Sequence, residues 1–285
     1  MNYRLGLIGY PIEHSLSPWI HNQFLEKTSL NGNYSAYEIA PQEFEQNIKD
    51  FFSLDLLGFN VTIPYKQKII PYLDELDEYA AQIGAVNTVK NKDGKWIGYN
   101  TDGQGYIRSL KGKFPMLFSD NNRRILLIGA GGAARSIYYA LVTEGFLNID
   151  ITNRTLEHAR DIKGMKSGLT TTEVLSIPDA ERNLDQYDLI IQTTNVGMSP
   201  EKDVSIVMLN HVNPSTIISD IVYRPILTNM LEQAKVKGAY LHYGHTMLLY
   251  QAQYAFEIWT NKKVVVEGME EQLKTILEGK HYVNR

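Results

Sequence analysis

The chain has 285 residues, of which 44% are hydrophobic and 21% are charged, so it is a folded globular protein of about two domains rather than a disordered or fibrous chain. A net charge of −4, without a block of basic residues, argues against nucleic acid or a membrane surface as a partner. The absence of cysteine excludes disulfides, thiolate metal sites and cysteine nucleophiles, and it suits the reducing cytoplasm.

Strand-like and helix-like stretches alternate over the first hundred residues, which predicts an α/β domain. Proline at position 18 suits the first turn of a helix, and the turn residues 91–94 predict a hairpin. The predicted elements are strand 5–9, helix 17–30, strand 34–38, helix 43–52, strand 57–62, hairpin strands 85–90 and 95–99, and a helix from Thr101-Asp102 to around Leu110. No apolar run is long enough to span a membrane, and we expect no targeting segment.

Beyond residue 123 the chain follows the order strand, glycine turn and helix, and more strands and helices follow. The predicted strands are 124–128, 148–152, 189–193, 216–220 and 239–242, and the predicted helices are 135–144, 226–235, 245–259 and 264–277. This order predicts a doubly wound sheet over residues 103–243. The last two helices have no strand partner, so we expect them to join residues 1–102 in a domain that includes residues 244–285.

The glycine turn carries a dinucleotide-binding pattern, because Gly129, Gly131 and Ala134 have the required spacing between a strand and a helix. In such a turn the backbone approaches a pyrophosphate, and the helix N-terminus stabilises its charge. The next strand ends at Asn153-Arg154-Thr155, where no carboxylate is available for a ribose 2′-hydroxyl and an arginine can bind a 2′-phosphate. This favours NADP over NAD, unless the strand ends earlier, at Asp150.

Polar side chains lie at or beside the ends of the predicted strands of the first domain, and those at carboxyl ends stand at the edge where open α/β sheets bind ligands, whereas Asn87 lies at a strand start. In chain order they are Ser15, Ser17, Asn60, Thr62, Lys66, Asn87 and Asp102. Several have a simpler interpretation, since serine and aspartate often cap helices and a lysine at such an edge is often only solvated. No histidine pair lies in a carboxylate-rich helical motif, so we expect no metal.

Together these segments resemble the shikimate dehydrogenase family along nearly the whole chain. The segments that carry the resemblance are residues 9–12, 14–18, 21–22, 60–66, 84–88, 100–103, 129–133, 153–155, 195–198, 220–225 and 244–252. The resemblance implies an N-terminal α/β substrate domain and a Rossmann-like, doubly wound NADP-binding domain. It also implies reversible NADPH-dependent reduction of 3-dehydroshikimate to shikimate, a step of aromatic amino-acid biosynthesis.

The resemblance further assigns roles by motif position, with Lys66 and Asp102 in catalysis. The implied substrate contacts are Ser15, Ser17, Asn60, Thr62, Lys66, Asn87, Asp102, Tyr223 and Gln251. The implied cofactor contacts are Gly129, Ala130, Gly131, Gly132, Ala133, Asn153, Arg154, Thr155, Ile221 and Gly244. His158 stands where the family often has a basic residue, so binding of the 2′-phosphate would depend mostly on Arg154.

Two other functions compete with this interpretation. One is a quinate/shikimate dehydrogenase with relaxed cofactor use, which Arg154 disfavours. The other is an NADP(H) sensor without turnover, which the presence of both Lys66 and Asp102 disfavours. The sequence does not decide whether Lys66 or Asp102 transfers the proton. We expect a cytoplasmic monomer or homodimer whose partner is a small-molecule substrate.

Overall fold

The computed structural model describes residues 2–165 and 168–279, and by its internal contacts the chain divides into two units. Of the described residues, the first unit contains 2–102 and 251–266, and the second contains 103–165, 168–250 and 267–279. The sequence predicts residues 244–250 and 267–279 in the same domain as residues 1–102, whereas their contacts group them with the second unit.

The first unit is built on one six-stranded sheet. Its elements are β1 (Tyr3–Gly9), α1 (Ser17–Lys27), β2 (Gly32–Glu38), α2 (Phe44–Phe52), β3 (Gly58–Val61), β4 (Glu75–Leu76), α3 (Glu78–Ile83), β5 (Thr88–Lys92) and β6 (Lys95–Tyr99). The strands lie in the order β2-β1-β3-β5-β6-β4, with β2, β1 and β3 parallel and β5 antiparallel to both of its neighbours. The sheet is therefore mixed.

The two central strands β1 and β3 end at the same edge of this sheet. Ile8 of β1 pairs with Val61 of β3, and the last five residues of β1 are buried, as expected for a strand that is covered on both faces. Large side chains such as Phe59 and Tyr65 are fully buried in the core beside them. The loops that follow β1 and β3 consequently leave the sheet side by side.

The predicted hairpin is present, with a shorter turn than the sequence indicates. Asp93 and Gly94 both have positive φ, at 55° and 84°, as a two-residue hairpin turn requires. Asn91 pairs with Trp96 and Lys92 pairs with Lys95, so both belong to the strands. The hairpin therefore turns at residues 93–94 and not over residues 91–94.

The second unit is a doubly wound parallel sheet, as predicted. Its elements are α4 (Asp102–Lys113), β7 (Arg124–Ile128), α5 (Gly132–Thr143), β8 (Asn148–Thr152), α6 (Leu156–Lys163), β9 (Val174–Leu175), α7 (Ile177–Arg182), β10 (Leu189–Gln192), β11 (Ile217–Asp220), α8 (Asn229–Val236), β12 (Tyr240–Tyr243), the first part of α9 (Gly244–Thr260) and α10 (Met269–Leu277). The strand order β12-β11-β10-β7-β8-β9 reverses direction between β7 and β10, which is where such sheets bind ligands. Among the described residues, no helix is both long and apolar enough to cross a membrane.

Three helices of this unit start at positions other than those predicted. Helix α5 begins at Gly132, three residues early, because Gly131 already serves as its N-cap. Helix α8 begins only at Asn229, since the Thr228 side chain caps it by accepting from the backbone N–H of Leu231. Helix α10 begins at Met269, after Gly268 in a left-handed conformation. Local capping, more than hydrophobic periodicity, sets these starts.

Helix α9 explains why the terminal helices are divided between the units. In its first half, the Tyr250 hydroxyl hydrogen-bonds to Glu270 of α10, and both residues belong to the second unit. In its second half, the Trp259 indole N–H donates to the backbone oxygen of Val89 at 2.8 Å, and both residues belong to the first unit. The sequence shows that α9 is helical but not where its contacts change.

Candidate functional site

The loops after β1 and β3 are held together at the carboxyl edge of the first sheet. The backbone N–H of Tyr10 donates to the carbonyl of Ile63 at 2.9 Å. A Cβ atom at Gly9 would lie only 2.3 Å from the Cγ2 atom of Thr62, so only glycine permits this approach. The loop that carries Ser15 therefore lies against the loop that carries Thr62 and Lys66.

Lys66 and Asp102 form a close ion pair in the first unit. The Lys66 Nζ atom lies 2.5 Å from the Asp102 Oδ2 atom, and the two side chains are 16% and 5% exposed. Asp102 is the first residue of α4, and its carboxylate accepts hydrogen bonds from the side chains of Lys66 and Asn87. The sequence places these residues 36 positions apart, and the fold brings their charged groups into direct contact.

Asn87 connects this pair to Gln251. Its Nδ2 atom lies 2.9 Å from Asp102 Oδ1, 2.9 Å from Thr101 Oγ1 and 3.2 Å from Gln251 Oε1. The Thr101 hydroxyl in turn donates to the backbone oxygen of Gln251 at 3.0 Å. Four predicted site residues, Lys66, Asn87, Asp102 and Gln251, are therefore assembled around one buried amide.

Asn60 differs from the other predicted substrate residues because the protein uses both ends of its amide. The Nδ2 atom donates to the backbone oxygen of Asn87 at 3.0 Å and to the Thr88 hydroxyl at 3.1 Å. The Oδ1 atom accepts from the Tyr34 hydroxyl at 2.7 Å. Asn60 is also only 5% exposed, so it is a buried residue that hydrogen-bonds Tyr34 to residues 87 and 88.

Of the two predicted serines, Ser15 lies on the loop after β1 and Ser17 is the first residue of α1. Ser17 is buried, Ser15 is half-buried, and the Ser15 hydroxyl accepts from the backbone N–H of Ser17 at 3.3 Å. Thr62 is half-buried at the end of β3. Tyr223 is also half-buried, but it belongs to the second unit, on the loop after β11.

In the second unit, the glycine turn between β7 and α5 exposes backbone rather than side chains. Gly129 has φ of +114°, and a Cβ there would lie 2.5 Å from the Thr193 hydroxyl, so the turn requires glycine at this position. A Cβ at Gly131 would meet nothing within 4 Å, which leaves open space above the backbone. No side chain caps the start of α5 at Gly132, which suits an anion at this helix N-terminus.

Two further predicted cofactor residues, Ile221 and Gly244, are in contact. A Cβ at Gly244 would lie 2.2 Å from the carbonyl oxygen of Ile221, so a side chain cannot be accommodated there. Asp220, one residue before Ile221, accepts from the Thr228 hydroxyl, the Val222 N–H and the Gln192 amide, at 2.7, 2.9 and 3.2 Å. These bonds hold the loops that follow β10 and β11.

Two residues, Asp150 and Arg154, are relevant to the choice between NADP and NAD, and their positions depend on where β8 ends. Strand β8 ends at Thr152, so Arg154 stands beyond its tip, where it is exposed. Asp150 is buried within the strand and accepts from the Tyr187 hydroxyl at 2.8 Å and from Arg124 at 3.2 Å. It is therefore occupied inside the protein. The exposed arginine, together with the uncapped glycine turn, fits a dinucleotide with a 2′-phosphate.

Three of the histidines that the structure describes, His21, His242 and His245, are buried. Burial lowers the pKa of His21 and of His242 to about 3 and that of His245 to about 4. Both ring nitrogens of His242 are hydrogen-bonded, to Ser219 and Ser109, at 2.8 Å each. Across residues 2–165 and 168–279, no three His, Cys, Asp or Glu side chains are grouped as a metal site would require.

The structure also reveals polar residues to which the sequence assigns no role. Thr101 joins Asn87 to Gln251, while Thr88 and Tyr34 are hydrogen-bonded to the amides of Asn87 and Asn60. Thr88 and Thr101 belong to segments 84–88 and 100–103, which resemble the family, but a threonine by itself does not indicate which group it will hydrogen-bond. Their functions depend on the register of the strands.

Comparison with known proteins gives consistent results along the chain. Residues 7–89 match a family model described as the shikimate dehydrogenase substrate binding domain. Residues 112–226 match the shikimate/quinate 5-dehydrogenase model, and residues 244–274 match the shikimate 5′-dehydrogenase C-terminal domain.

Individual relatives cover nearly all of the chain. A shikimate dehydrogenase (NADP(+)) of Oceanobacillus iheyensis is 53% identical over 281 residues, which is 98% of this chain and 100% of that protein. The corresponding protein of Geobacillus kaustophilus is 42% identical and covers 93% of this chain and 98% of its own length. A crystal structure of a shikimate dehydrogenase in complex with NADP⁺ has a TM-score of 0.88 at 37% identity, covering 97% of this chain and 96% of its own.

Proposed function

Because the chain belongs to the shikimate dehydrogenase family, we propose that Lys66 and Asp102 carry out the proton chemistry of its reaction. The protein is an NADP-dependent oxidoreductase that reduces 3-dehydroshikimate to shikimate in a reversible step of the shikimate pathway. The observation that carries the proposal is the 2.5 Å contact between Lys66 Nζ and Asp102 Oδ2.

Lys66 is the proton donor in this proposal. When bound, NADPH supplies the hydride that reduces the substrate carbonyl carbon, and the carbonyl oxygen then needs a proton. Both oxygens of Asp102 already accept hydrogen bonds, Oδ2 from Lys66 and Oδ1 from Asn87. Asp102 is thus arranged as a hydrogen-bond acceptor that orients the lysine, and the ammonium is the group with a proton to give.

The remaining polar side chains of the first unit suit a ring acid with several hydroxyl groups. Hydroxyls can bind a carboxylate by charge-assisted hydrogen bonds, and amides can donate to and accept from an alcohol. We assign substrate contacts to Ser15, Ser17, Thr62, Lys66, Asn87, Asp102, Tyr223 and Gln251. Asn60, which the resemblance also implies, is not assigned a substrate contact because its amide is hydrogen-bonded within the protein.

For the cofactor, the backbone of the glycine turn would hold the pyrophosphate, and Arg154 would bind the 2′-phosphate. The residues assigned to NADP are Gly129, Ala130, Gly131, Gly132, Ala133, Asn153, Arg154, Thr155, His158, Ile221 and Gly244. Asn153 supports this loop, since its Nδ2 atom donates to the backbone oxygen of Thr155 at 2.8 Å.

The decisive experiment follows nicotinamide absorbance after the protein is mixed with shikimate and NADP⁺. We expect reduction of NADP⁺ that depends on shikimate, with quinate and NAD⁺ as much weaker alternatives. Tight NADP⁺ binding with a flat absorbance trace would instead support the sensor. Equal turnover with quinate and NAD⁺ would indicate the relaxed quinate/shikimate enzyme.

We further propose that the protein acts in the cytoplasm as a monomer or homodimer. The lack of cysteine and the pathway support the location. Sedimentation or light scattering at several concentrations would decide the oligomeric state, and a larger assembly would contradict the proposal.

A further inference from the structure

A chain of buried hydrogen bonds in the first unit ends on the catalytic carboxylate. It runs from the Tyr34 hydroxyl to Asn60 at 2.7 Å, from Asn60 to the Thr88 hydroxyl at 3.1 Å, and from Thr88 to Asn87 at 2.9 Å. Asn87 then donates to Asp102 Oδ1 at 2.9 Å. The first four side chains of this chain are each at most 5% exposed.

The direction of these bonds is set at the Asp102 end by a backbone donor. The N–H of Thr101 donates to Asn87 Oδ1 at 2.9 Å, which identifies that atom as the amide oxygen. Asn87 Nδ2 must therefore face Asp102. Since Asn87 Oδ1 can only accept, the Thr88 hydroxyl must donate its proton to it.

A backbone acceptor sets the direction at the other end. The carbonyl oxygen of Asn87 lies 3.0 Å from Asn60 Nδ2, which identifies that atom as the amide nitrogen. Asn60 Nδ2 thus donates to the oxygen of the Thr88 hydroxyl, since the hydroxyl proton is donated to Asn87 Oδ1. Asn60 Oδ1 is left facing the Tyr34 hydroxyl, which must donate to it. All four bonds consequently point the same way.

We infer that Tyr34, Asn60 and Thr88 are positioning residues, which act through Asn87 to hold the Asp102 carboxylate in place for Lys66. This inference rests on the proposed function of Lys66 and Asp102. Hydrogen bonds that point in one direction polarise one another, so each donor in the chain strengthens the next. The last donor meets a carboxylate, the acceptor that gains most from a polarised N–H.

The surroundings of Tyr34 keep the start of the chain neutral. Burial raises the pKa of the Tyr34 phenol well above its ordinary value, so the hydroxyl retains the proton that it donates. The ring of His21 stacks on the Tyr34 ring with centroids 4.3 Å apart, and burial lowers the pKa of His21 to about 3. Neither ring brings a competing charge near Asn60 at neutral pH.

This role differs from the substrate contact that the resemblance implies for Asn60. Both hydrogens of Asn60 Nδ2 and one lone pair of its Oδ1 atom have partners in the protein, and the residue is only 5% exposed, so little of the amide is left for a substrate hydroxyl. Losing a substrate contact should raise KM for shikimate. Losing a positioning residue should lower kcat and leave KM nearly unchanged.

The test uses Thr88, because Thr88→Val keeps the shape of the side chain and removes the hydroxyl in the middle of the chain. We expect kcat to fall about 3- to 10-fold, the effect of one buried hydrogen bond, with little change in KM. Thr88→Ser restores the hydroxyl and should recover most of kcat. Tyr34→Phe removes the first donor and should give a smaller loss, because that donor is farther from Asp102.

Thr260→Val is the matched control. Thr260 is also a buried threonine of the first unit, but its hydroxyl donates to the backbone of Phe256, outside this chain. Wild-type kcat in Thr88→Val, a loss confined to KM, or an equal loss of kcat in Thr260→Val would each overturn the inference.

A structural measurement separates this inference from the proposed function. A crystal structure of Thr88→Val should show the Asp102 carboxylate displaced from its wild-type position, with Asn87 Oδ1 still accepting from the Thr101 N–H. Unchanged Asp102 geometry in that variant would overturn the inference even if the enzyme were active. Loss of turnover in Lys66→Ala, together with normal turnover in Thr88→Val, would leave the proposed function standing and remove only the positioning role.

Discussion

The two units present their candidate sites in opposite ways. In the first unit the site consists of side chains, since the Lys66–Asp102 pair and Asn87 are joined by buried hydrogen bonds between residues distant in sequence. In the second unit it consists largely of backbone, where Gly129 and Gly131 leave open space at the start of α5. In the proposed function the first arrangement positions reacting groups, whereas the second would bind charge with backbone N–H groups, which every residue except proline possesses.

This contrast predicts separate effects of substitution. Changes in the first unit should act mainly on turnover, because they disturb a fixed arrangement of donors and acceptors around the reacting atoms. Changes in the second unit should act mainly on cofactor affinity or on folding, because a glycine turn depends on backbone conformation and on empty space. The following substitutions test this separation.

Lys66→Ala should have the largest effect. Removal of a proton donor typically costs about 10²–10⁴ in turnover, and NADP⁺ affinity should change little because Lys66 belongs to the other unit. The measurements are kcat and the dissociation constant of NADP⁺, with Lys68→Ala as the control at an exposed lysine nearby. Undiminished turnover in Lys66→Ala would remove the residue from the mechanism.

Arg154→Ala should weaken NADP⁺ binding about 10- to 100-fold, since it removes charge-assisted hydrogen bonds to the 2′-phosphate. Binding of NAD⁺, which lacks that phosphate, should be unaffected. Arg160→Ala is the control, because Arg160 lies nearby on α6 and pairs with Glu157 at 2.9 Å. The assignment fails if both arginine variants lose equal affinity, or if NAD⁺ and NADP⁺ binding fall together.

These two substitutions also show what the sequence can and cannot predict. The sequence identifies Arg154 from its position after a strand, and the structure places it at that tip because β8 ends where the pattern indicates. The sequence likewise places Lys66 and Asp102 near strand ends, but residue type alone leaves a solvated lysine and a helix cap as alternatives. Only the fold shows both Asp102 oxygens engaged by other side chains.

The supporting residues could not be predicted, for a physical reason. The role of Thr88 depends on the pairing of β3 with β5, which sets Asn60 opposite Thr88. The direction of its hydrogen bond depends on a backbone N–H at Thr101. Such information lies in which strands pair and in where a backbone N–H points, and neither can be read from the residue types of one segment.

The two glycines of the turn should respond differently to alanine. Gly129→Ala places a Cβ against Thr193 at a positive φ, so the melting temperature should fall by the equivalent of about 1–3 kcal/mol of strain. Gly131→Ala meets no neighbouring atom, so stability should be retained while NADP⁺ affinity falls, because the methyl group keeps the phosphate from the backbone. Equal melting temperatures for the two variants would contradict this account of the turn.

Asp220→Asn should give the smallest effect, an increase in stability. Burial raises the pKa of Asp220 to about 6, against hydrogen bonds from Thr228, Val222 and Gln192 that lower it. The folded protein therefore holds this proton more tightly than the unfolded chain, whose aspartate pKa is about 3.9, and stability is lost as pH rises between these values. Asparagine cannot ionise, so at neutral pH the variant should melt a few degrees higher.

The same substitution at Asp188 is the matched control and sharpens the contrast. Asp188 lies at the other end of the sheet, where it accepts from Arg123 at 2.7 Å and from the backbone N–H of Arg124 at 2.9 Å. Asp188→Asn loses a charged partner and should not melt higher than wild type. Melting temperatures measured from pH 4 to pH 7 distinguish the two variants. The increase in melting temperature over wild type should grow with pH and then level off for Asp220→Asn, and Asp188→Asn should show no such increase. If Asp220→Asn instead melts lower at pH 7, the loops after β10 and β11 require the anion itself.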